Sequence, residues 1–133
     1  PMDVVVADDL SDASVGSVKT VHNIHSHEMI LDLGPETLEK ISKIIKNSKT
    51  IIWNGPLGVF EIEQFSKGTK NVSLAVAESK AFSAAGGGDT IAAIEKYNIA
   101  RDISYISTGG GAFLKFLESG SLPALKIHPE NHD

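Results

Sequence analysis

The chain has 133 residues, of which 41% are hydrophobic and 22% are charged, and its formal net charge at pH 7 is −5. This composition excludes disordered and fibrous classes, and the acidic balance argues against nucleic acid and anionic membranes as partners. The chain has no cysteine, which excludes disulfide bonds. No apolar run is long enough to span a bilayer, so we expect a soluble, cytoplasmic protein.

The first half of the chain contains short apolar runs around one clear helix. Four runs rich in β-branched and apolar residues are predicted to be strands: 4–7, 19–24, 29–33 and 50–53. Pro35 followed by Glu36 is a good helix start, and apolar residues at helical spacing extend this helix to about Asn47. The alternation of strands and helices is typical of α/β folds.

The second half contains the same unit twice, after a weakly apolar helix predicted around 72–79. Residues 82–85 precede Gly86-Gly87-Gly88 and a helix, and residues 105–108 precede Gly109-Gly110-Gly111 and another helix. Right-handed crossovers make such strands parallel and place both glycine turns at the carboxyl edge of one sheet. We therefore predict an α/β fold with a parallel, Rossmann-like sheet flanked by helices.

The two triglycine turns are candidate phosphate sites. A helix that begins behind a bare glycine turn presents unpaired N–H groups and the positive end of its dipole. Two such turns on one edge would form a cradle for a polyphosphate. The alternative is that the glycines only permit tight turns and close packing. The pattern is neither a Walker A loop nor a complete dinucleotide-binding motif, because Ile91 stands where the last glycine would be.

Asp89 and Thr90 follow the first triglycine directly. Asp89 could simply cap the helix. A carboxylate beside a phosphate would repel it unless a divalent cation bridged the two, and Mg²⁺ takes one carboxylate together with phosphate oxygens and water. The pattern thus suggests a metal–nucleotide complex, to which Thr90 could add a hydroxyl donor.

A third segment leaves the strand at 50–53 through a turn fixed by glycine and proline and ends on Glu61. Val59 and Phe60 could pack against a base, and Glu61 could accept hydrogen bonds from ribose hydroxyls. The alternative is a structural turn in which Val59 and Phe60 fill the core.

Three motifs stand in a specific order and spacing: Trp-Asn-Gly-Pro-Leu-Gly-Val-Phe-Glu at 53–61, Gly-Gly-Gly-Asp-Thr at 86–90, and Ser-Thr-Gly-Gly-Gly-Ala at 107–112. Together with residues 4–8 and 31–36, they resemble the phosphoglycerate kinase family over nearly the whole chain. The resemblance implies a glycolytic phosphotransferase. Such an enzyme moves a phosphoryl group between 1,3-bisphosphoglycerate and ADP, giving 3-phosphoglycerate and Mg-ATP.

The resemblance implies roles for individual residues. Those that would hold ADP or ATP are Leu31, Asn54, Pro56, Val59, Glu61, Gly87, Gly88, Asp89 and Thr90. Within this set, Leu31 and Val59 would line the adenine and Glu61 would bind the ribose. Asp89 would bind Mg²⁺. Gly109 and Gly110 would be catalytic, because their backbone donors would face the transferring phosphoryl group.

The resemblance also implies that residues 1–133 are the later part of a nucleotide-binding domain. The N-terminal domain, which holds the phosphoglycerate, would be absent from this chain. Phosphoryl transfer depends on positioned cations, so we expect the chain alone to be inactive. The whole protein is expected to be a monomer. An alternative is a stand-alone, non-catalytic nucleotide-binding module.

A histidine cluster offers an alternative of another class. His22, His25 and His27 lie close together in sequence, and in a strand His25 and His27 would share a face. Imidazoles ligate Zn²⁺ or Ni²⁺, so a metal-binding protein is a second hypothesis. Against it, such clusters are also common on solvated loops.

Overall fold

The structure is a computed structural model that describes residues 1–119. The strands in this range are β1 (Asp3–Ala7), β2 (Ser17–Thr20), β3 (Met29–Leu33), β4 (Thr50–Trp53), β5 (Phe82–Gly86) and β6 (Tyr105–Ser107). The α-helices are α1 (Pro35–Asn47), α2 (Lys67–Glu78), α3 (Gly88–Lys96) and α4 (Gly111–Ser119). None of the helices described here is long and apolar enough to cross a membrane.

The parallel sheet has the order β4-β5-β6. Thr50 pairs with Phe82 and Trp53 with Ala85, while Gly86 at the end of β5 pairs with Ser107 at the end of β6. A helix follows each of β5 and β6, and α2 lies between β4 and β5 in the chain. The predicted parallel α/β arrangement, with helices flanking the sheet, is therefore confirmed for this half of the chain.

The first three strands form a separate antiparallel sheet of order β2-β1-β3, which the sequence analysis did not distinguish from the parallel one. No α-helix separates these strands, and only short connections are needed to join antiparallel neighbours. The strand predicted at 19–24 is wrong at both ends. Its ladder stops at Thr20, opposite Asp3 where β1 begins, and Val21–Asn23 is a 3-10 helix.

The main core joins the parallel sheet to the helices that flank it. Its buried members are Leu38, Ile45, Trp53, Phe60, Val72, Val76, Ala85, Ala93, Ile94, Ile99 and Ile103. The apolar stripe predicted on α1 is only partly used, because Ile44 is exposed. A smaller cluster of Ala7, Leu31 and Phe65 lies under the antiparallel sheet.

Candidate functional site

Three strand ends lie side by side at the carboxyl edge of the parallel sheet. The pairing of Trp53 with Ala85, and of Gly86 with Ser107, brings the ends of β4, β5 and β6 level. The segments that leave this edge begin at Asn54, Gly87 and Thr108. The prediction that both glycine turns share one edge is confirmed, and the Asn54 loop lies beside them.

The first glycine turn has a conformation that excludes other residues. Gly87 has φ +97°, in the region that favours glycine, and a Cβ there would lie 2.7 Å from Oδ1 of Asn54. This close approach places Asn54 directly against the turn. The first helical hydrogen bond of α3 runs from Ile91 N–H to the carbonyl of Gly87. The amides of Gly88, Asp89 and Thr90 therefore precede the hydrogen-bonded part of the helix.

The N-terminus of α3 is open. Gly88 and Asp89 are exposed, and a Cβ on Gly88 would meet nothing within 4 Å. Within residues 1–119, no side chain accepts a hydrogen bond from the first-turn amides of α3. The exposed end of α3 can therefore receive an anion without moving a side chain.

Thr90 joins two of the loops. Its side chain is fully buried, and its Oγ1 accepts a hydrogen bond of 2.7 Å from the amide of Gly55. The hydroxyl predicted to donate to a phosphate is therefore engaged in fixing the Asn54 loop against α3. Direct contact between the Thr90 hydroxyl and a phosphate stays a prediction.

The second glycine turn is equally bare. Gly109, Gly110 and Gly111 are exposed, and Gly110 has φ +54°. The amide of Gly109 donates to Oγ of Ser107 at 3.3 Å, which fixes the start of the turn. Helix α4 begins at Gly111, where an added Cβ would meet nothing within 4 Å. A second open helix N-terminus thus lies on the edge that carries α3.

The loop after β4 is held by backbone and side-chain hydrogen bonds. Trp53 donates through Nε1–H to the carbonyl of Gly55 at 2.9 Å, and the amide of Leu57 donates to Oγ1 of Thr69 at 3.1 Å. Pro56 is half-buried between them. These contacts give the loop a fixed path along the edge of the sheet.

The end of this loop brings two predicted adenine contacts together. The amide of Val59 donates to the carbonyl of Leu31 at 2.9 Å, and Val59 packs against the small core cluster that contains Leu31. Leu31 is buried and Val59 is half-buried, whereas Phe60 fills the main core. The alternative in which both side chains fill the core is thus correct for Phe60 and only partly correct for Val59. Glu61 is exposed just beyond it.

Two groups that the sequence analysis missed hold this loop from beneath. Asp32 is buried under Gly58, where an added Cβ would overlap its carboxylate, and Asp32 accepts hydrogen bonds from the amides of Gly68 and Leu33. Lys96 donates from Nζ to the carbonyl of Phe60 at 2.5 Å. A carboxylate placed between two leucines, Leu31 and Leu33, in an otherwise apolar strand is the signal that could have indicated Asp32.

The strand predicted at 19–24 does not extend to His22, and His25 and His27 do not share a strand face. His22 is in the 3-10 helix after β2, and His25 and His27 are in a turn before β3, closed by a hydrogen bond from the amide of Glu28 to the carbonyl of His25. All three histidines are exposed. They are remote in the chain from the glycine turns and belong to the antiparallel half.

Comparison with known proteins gives one consistent result. A family model described as "Phosphoglycerate kinase" matches residues 1–120. A solved phosphoglycerate kinase from Coxiella burnetii is 53% identical, with a TM-score of 0.89, and the match covers 96% of this chain and 33% of that one. Another, from Pyrococcus horikoshii OT3, is 41% identical, with a TM-score of 0.79 and coverage of 95% and 31%. The chain thus spans about a third of the length of these two relatives.

Proposed function

The chain belongs to the phosphoglycerate kinase family, and from this membership we propose that it supplies the nucleotide-phosphate site for phosphoryl transfer between 1,3-bisphosphoglycerate and ADP. The products in that direction are 3-phosphoglycerate and ATP. The observation that carries the proposal is the pair of open helix N-termini on one sheet edge. A nucleotide with several phosphates is the ligand class that such a pair fits.

The two N-termini take different parts of the ligand in this proposal. The amides of Gly87, Gly88 and Asp89 hold the phosphates of the bound nucleotide, since α3 directs its positive end toward them. The amide of Gly110 lies on the neighbouring strand end and stabilises charge on the transferring phosphoryl group. Fixed backbone donors do this without reorganising during the reaction. The amide of Gly109 joins that of Gly110 by exchanging its 3.3 Å hydrogen bond to Oγ of Ser107 for one to the ligand.

Asp89 suits a magnesium ion. It is exposed in the first turn of α3, where it would otherwise repel the nucleotide. One carboxylate together with phosphate oxygens and water is a donor set that Mg²⁺ accepts. The bound ion supplies positive charge that offsets the charge of the phosphates. Thr90 positions this turn by holding Gly55.

The loop after β4 is proposed to hold the nucleoside. Leu31 and Val59, which are hydrogen-bonded through their backbones, line the adenine. Asn54 lies against Gly87, so with Pro56 it shapes the pocket between the base and the phosphates. Glu61 is exposed at the end of the same loop and is suited to accept hydrogen bonds from the ribose hydroxyls.

We propose further that residues 1–133 are part of the nucleotide-binding domain of a monomeric cytoplasmic enzyme, whose phosphoglycerate is held by another domain. The coverage of only about a third of the relatives' length supports this division. Because the transfer needs cations placed on both substrates, the 133 residues alone bind nucleotide but do not turn over. ATP consumption that depends on 3-phosphoglycerate, measured with the purified 133-residue chain, would contradict this.

Calorimetry with Mg-ADP tests the site itself. Asp89→Ala is expected to weaken binding at least about tenfold, because a charge-assisted contact is lost. The matched control is Glu95→Ala, which removes an exposed carboxylate from the other end of α3 and should leave the affinity unchanged. Equal affinities for Asp89→Ala and the unsubstituted chain, with Mg²⁺ present, would remove Asp89 from the site.

A further inference from the structure

Three side chains with metal-ligating groups converge in the antiparallel half of the molecule, where β1 ends and β3 begins. Asp8, His27 and Glu28 each offer one ligand atom, and these atoms all lie within 4.8 Å of one another. None of the three has a role in the nucleotide site proposed above. The group combines one imidazole with two carboxylates.

The fold itself brings these residues together. Strands β1 and β3 are antiparallel, with Ala7 opposite Met29. Asp8, which follows β1, therefore lies near Glu28, which precedes β3. The turn from His25 to Glu28 then folds His27 back toward Asp8. The cluster therefore depends both on the register of β1 and β3, which places Asp8 near Glu28, and on the turn that carries His27.

The spacing is close to that of ligands around one ion. Nε2 of His27 lies 3.5 Å from Oδ1 of Asp8. Two ligands that are each about 2.0–2.2 Å from a tetrahedral zinc ion lie roughly 3.3–3.5 Å apart. The imidazole of His27 lies parallel to that of His25, with an interplanar angle of 3° and ring centroids 5.6 Å apart.

Glu28 is held in place before any ion binds. Its Oε1 accepts a hydrogen bond of 2.5 Å from Nζ of Lys19, and its Oε2 accepts one of 2.7 Å from the amide of His25. These contacts reduce the side-chain entropy lost when the carboxylate becomes a ligand. Lys19 also competes with a metal ion for Glu28, because its ammonium group is hydrogen-bonded to one of the two carboxylate oxygens.

We propose that Asp8, His27 and Glu28 form a surface site for a divalent transition ion of the zinc class, with water completing the coordination. The mixed nitrogen and oxygen donors favour Zn²⁺ over Mg²⁺, which prefers oxygen ligands alone. The site differs from the cluster expected from sequence. His27 is a ligand, whereas His22 and His25 are not, and the two carboxylates are essential.

Calorimetric titration of the purified protein with Zn²⁺, without nucleotide, tests the proposal. An Asp89→Ala background removes any contribution from α3. One equivalent should bind, and Asp8→Asn and His27→Ala should each lower the affinity at least about tenfold. His22→Ala is the matched control and should bind as the parent does. The ion should also raise the melting temperature of the parent but not of His27→Ala.

A second variant separates loss of a ligand from loss of folding. Lys19→Gln removes the competing ammonium from a largely buried ion pair, so it should tighten Zn²⁺ binding by at least about twofold. A misfolded protein would not gain affinity. Unchanged binding in Asp8→Asn, or equal losses in His22→Ala and His27→Ala, would mean adventitious binding by surface histidines and would overturn the proposal.

Discussion

The four α-helices of the described chain differ in how their N-termini are closed, and the difference follows the two halves of the molecule. Helices α1 and α2 begin against carboxylates that are buried in the antiparallel sheet. Helices α3 and α4 begin behind glycines at the edge of the parallel sheet. The same unpaired amides therefore stabilise the fold at one pair of helices and remain open to a ligand at the other.

The closed ends are held by residues distant in sequence. Asp3 in β1 accepts hydrogen bonds from the amides of Glu36 at 3.0 Å and Thr37 at 2.7 Å, both in the first turn of α1. Asp32 in β3 accepts one of 2.8 Å from the amide of Gly68 in the first turn of α2. Each buried carboxylate is an internal anion in the position where a phosphate binds at an open helix end.

The pKa values of the two carboxyl groups are shifted in opposite directions. Burial raises the pKa of Asp3, but hydrogen bonds from the amides of Thr37 and Glu36 and from the Thr37 hydroxyl outweigh it, so the pKa lies below the ordinary value. Burial also raises the pKa of Asp32, and there the amides of Gly68 and Leu33 offset it only in part. Ionisation is therefore favoured at Asp3 and disfavoured at Asp32, relative to an exposed carboxyl group.

Removing the carboxylate at α1 should have the largest effect on stability. Asp3→Ala leaves the amides of Glu36 and Thr37 without their carboxylate acceptor, whereas the Thr37 hydroxyl keeps the backbone carbonyl of residue 3. The free energy of unfolding should fall by about 2–3 kcal/mol. Urea denaturation measures this change. Asp102→Ala, which removes an exposed carboxylate, is the control and should change stability by less than about 0.5 kcal/mol. A loss of that small size in Asp3→Ala would mean that α1 does not depend on Asp3.

The pH dependence of stability should separate the two closed ends. Because the folded pKa of Asp3 is lowered, its contribution is present above the unfolded value of about 3.9 and is lost as the pH falls through the folded value. The stability advantage of the parent over Asp3→Asn should therefore shrink below about pH 4.

Asp32 should behave in the opposite way. Its folded pKa is raised, so the folded state binds a proton before the unfolded state does as the pH falls. The parent should gain stability relative to Asp32→Asn on acidification toward about pH 4. Parallel pH profiles for the two comparisons, measured by urea denaturation, would refute this distinction between α1 and α2.

Closing the open end of α3 should have a small effect on stability and a large one on binding. Gly88→Asp places a carboxylate at the start of α3, where space is free, and should stabilise the fold by about 0.3–1 kcal/mol relative to Gly88→Ala. The same charge should weaken Mg-ADP binding about tenfold or more, since like charges are brought together. Equal affinities of the two variants would argue against phosphate at this helix end.

Local sequence patterns predicted much of the fold and the open N-termini of α3 and α4. Pro35 and the apolar spacing behind it gave the bounds of α1 as observed, Pro35–Asn47. Two successive strand–glycine–helix units were enough to place both turns at one sheet edge, because right-handed crossovers leave little choice. The glycine turns were visible in sequence because they are made by consecutive residues.

Long-range pairings were not accessible to the same reasoning. Asp3 and Thr37 are 34 residues apart, Asp32 and Gly68 are 36 apart, and Gly55 and Thr90 are 35 apart. No local period relates the members of these pairs, since they meet only when sheets and helices have packed. For the same reason, proximity in sequence groups the three histidines, whereas the folded chain brings His27 to Asp8.

The most direct test follows the backbone amides at the N-termini of α1, α2 and α3 by NMR during titration with Mg-ADP. We expect the amide resonances of Gly88, Asp89 and Thr90 in α3 to shift, and those of Glu36 in α1 and Gly68 in α2 to stay unchanged. Each closed end serves as an internal control for the open one. Shifts at the closed ends as large as those at α3, or none at Gly88–Thr90 when ADP is bound, would contradict it.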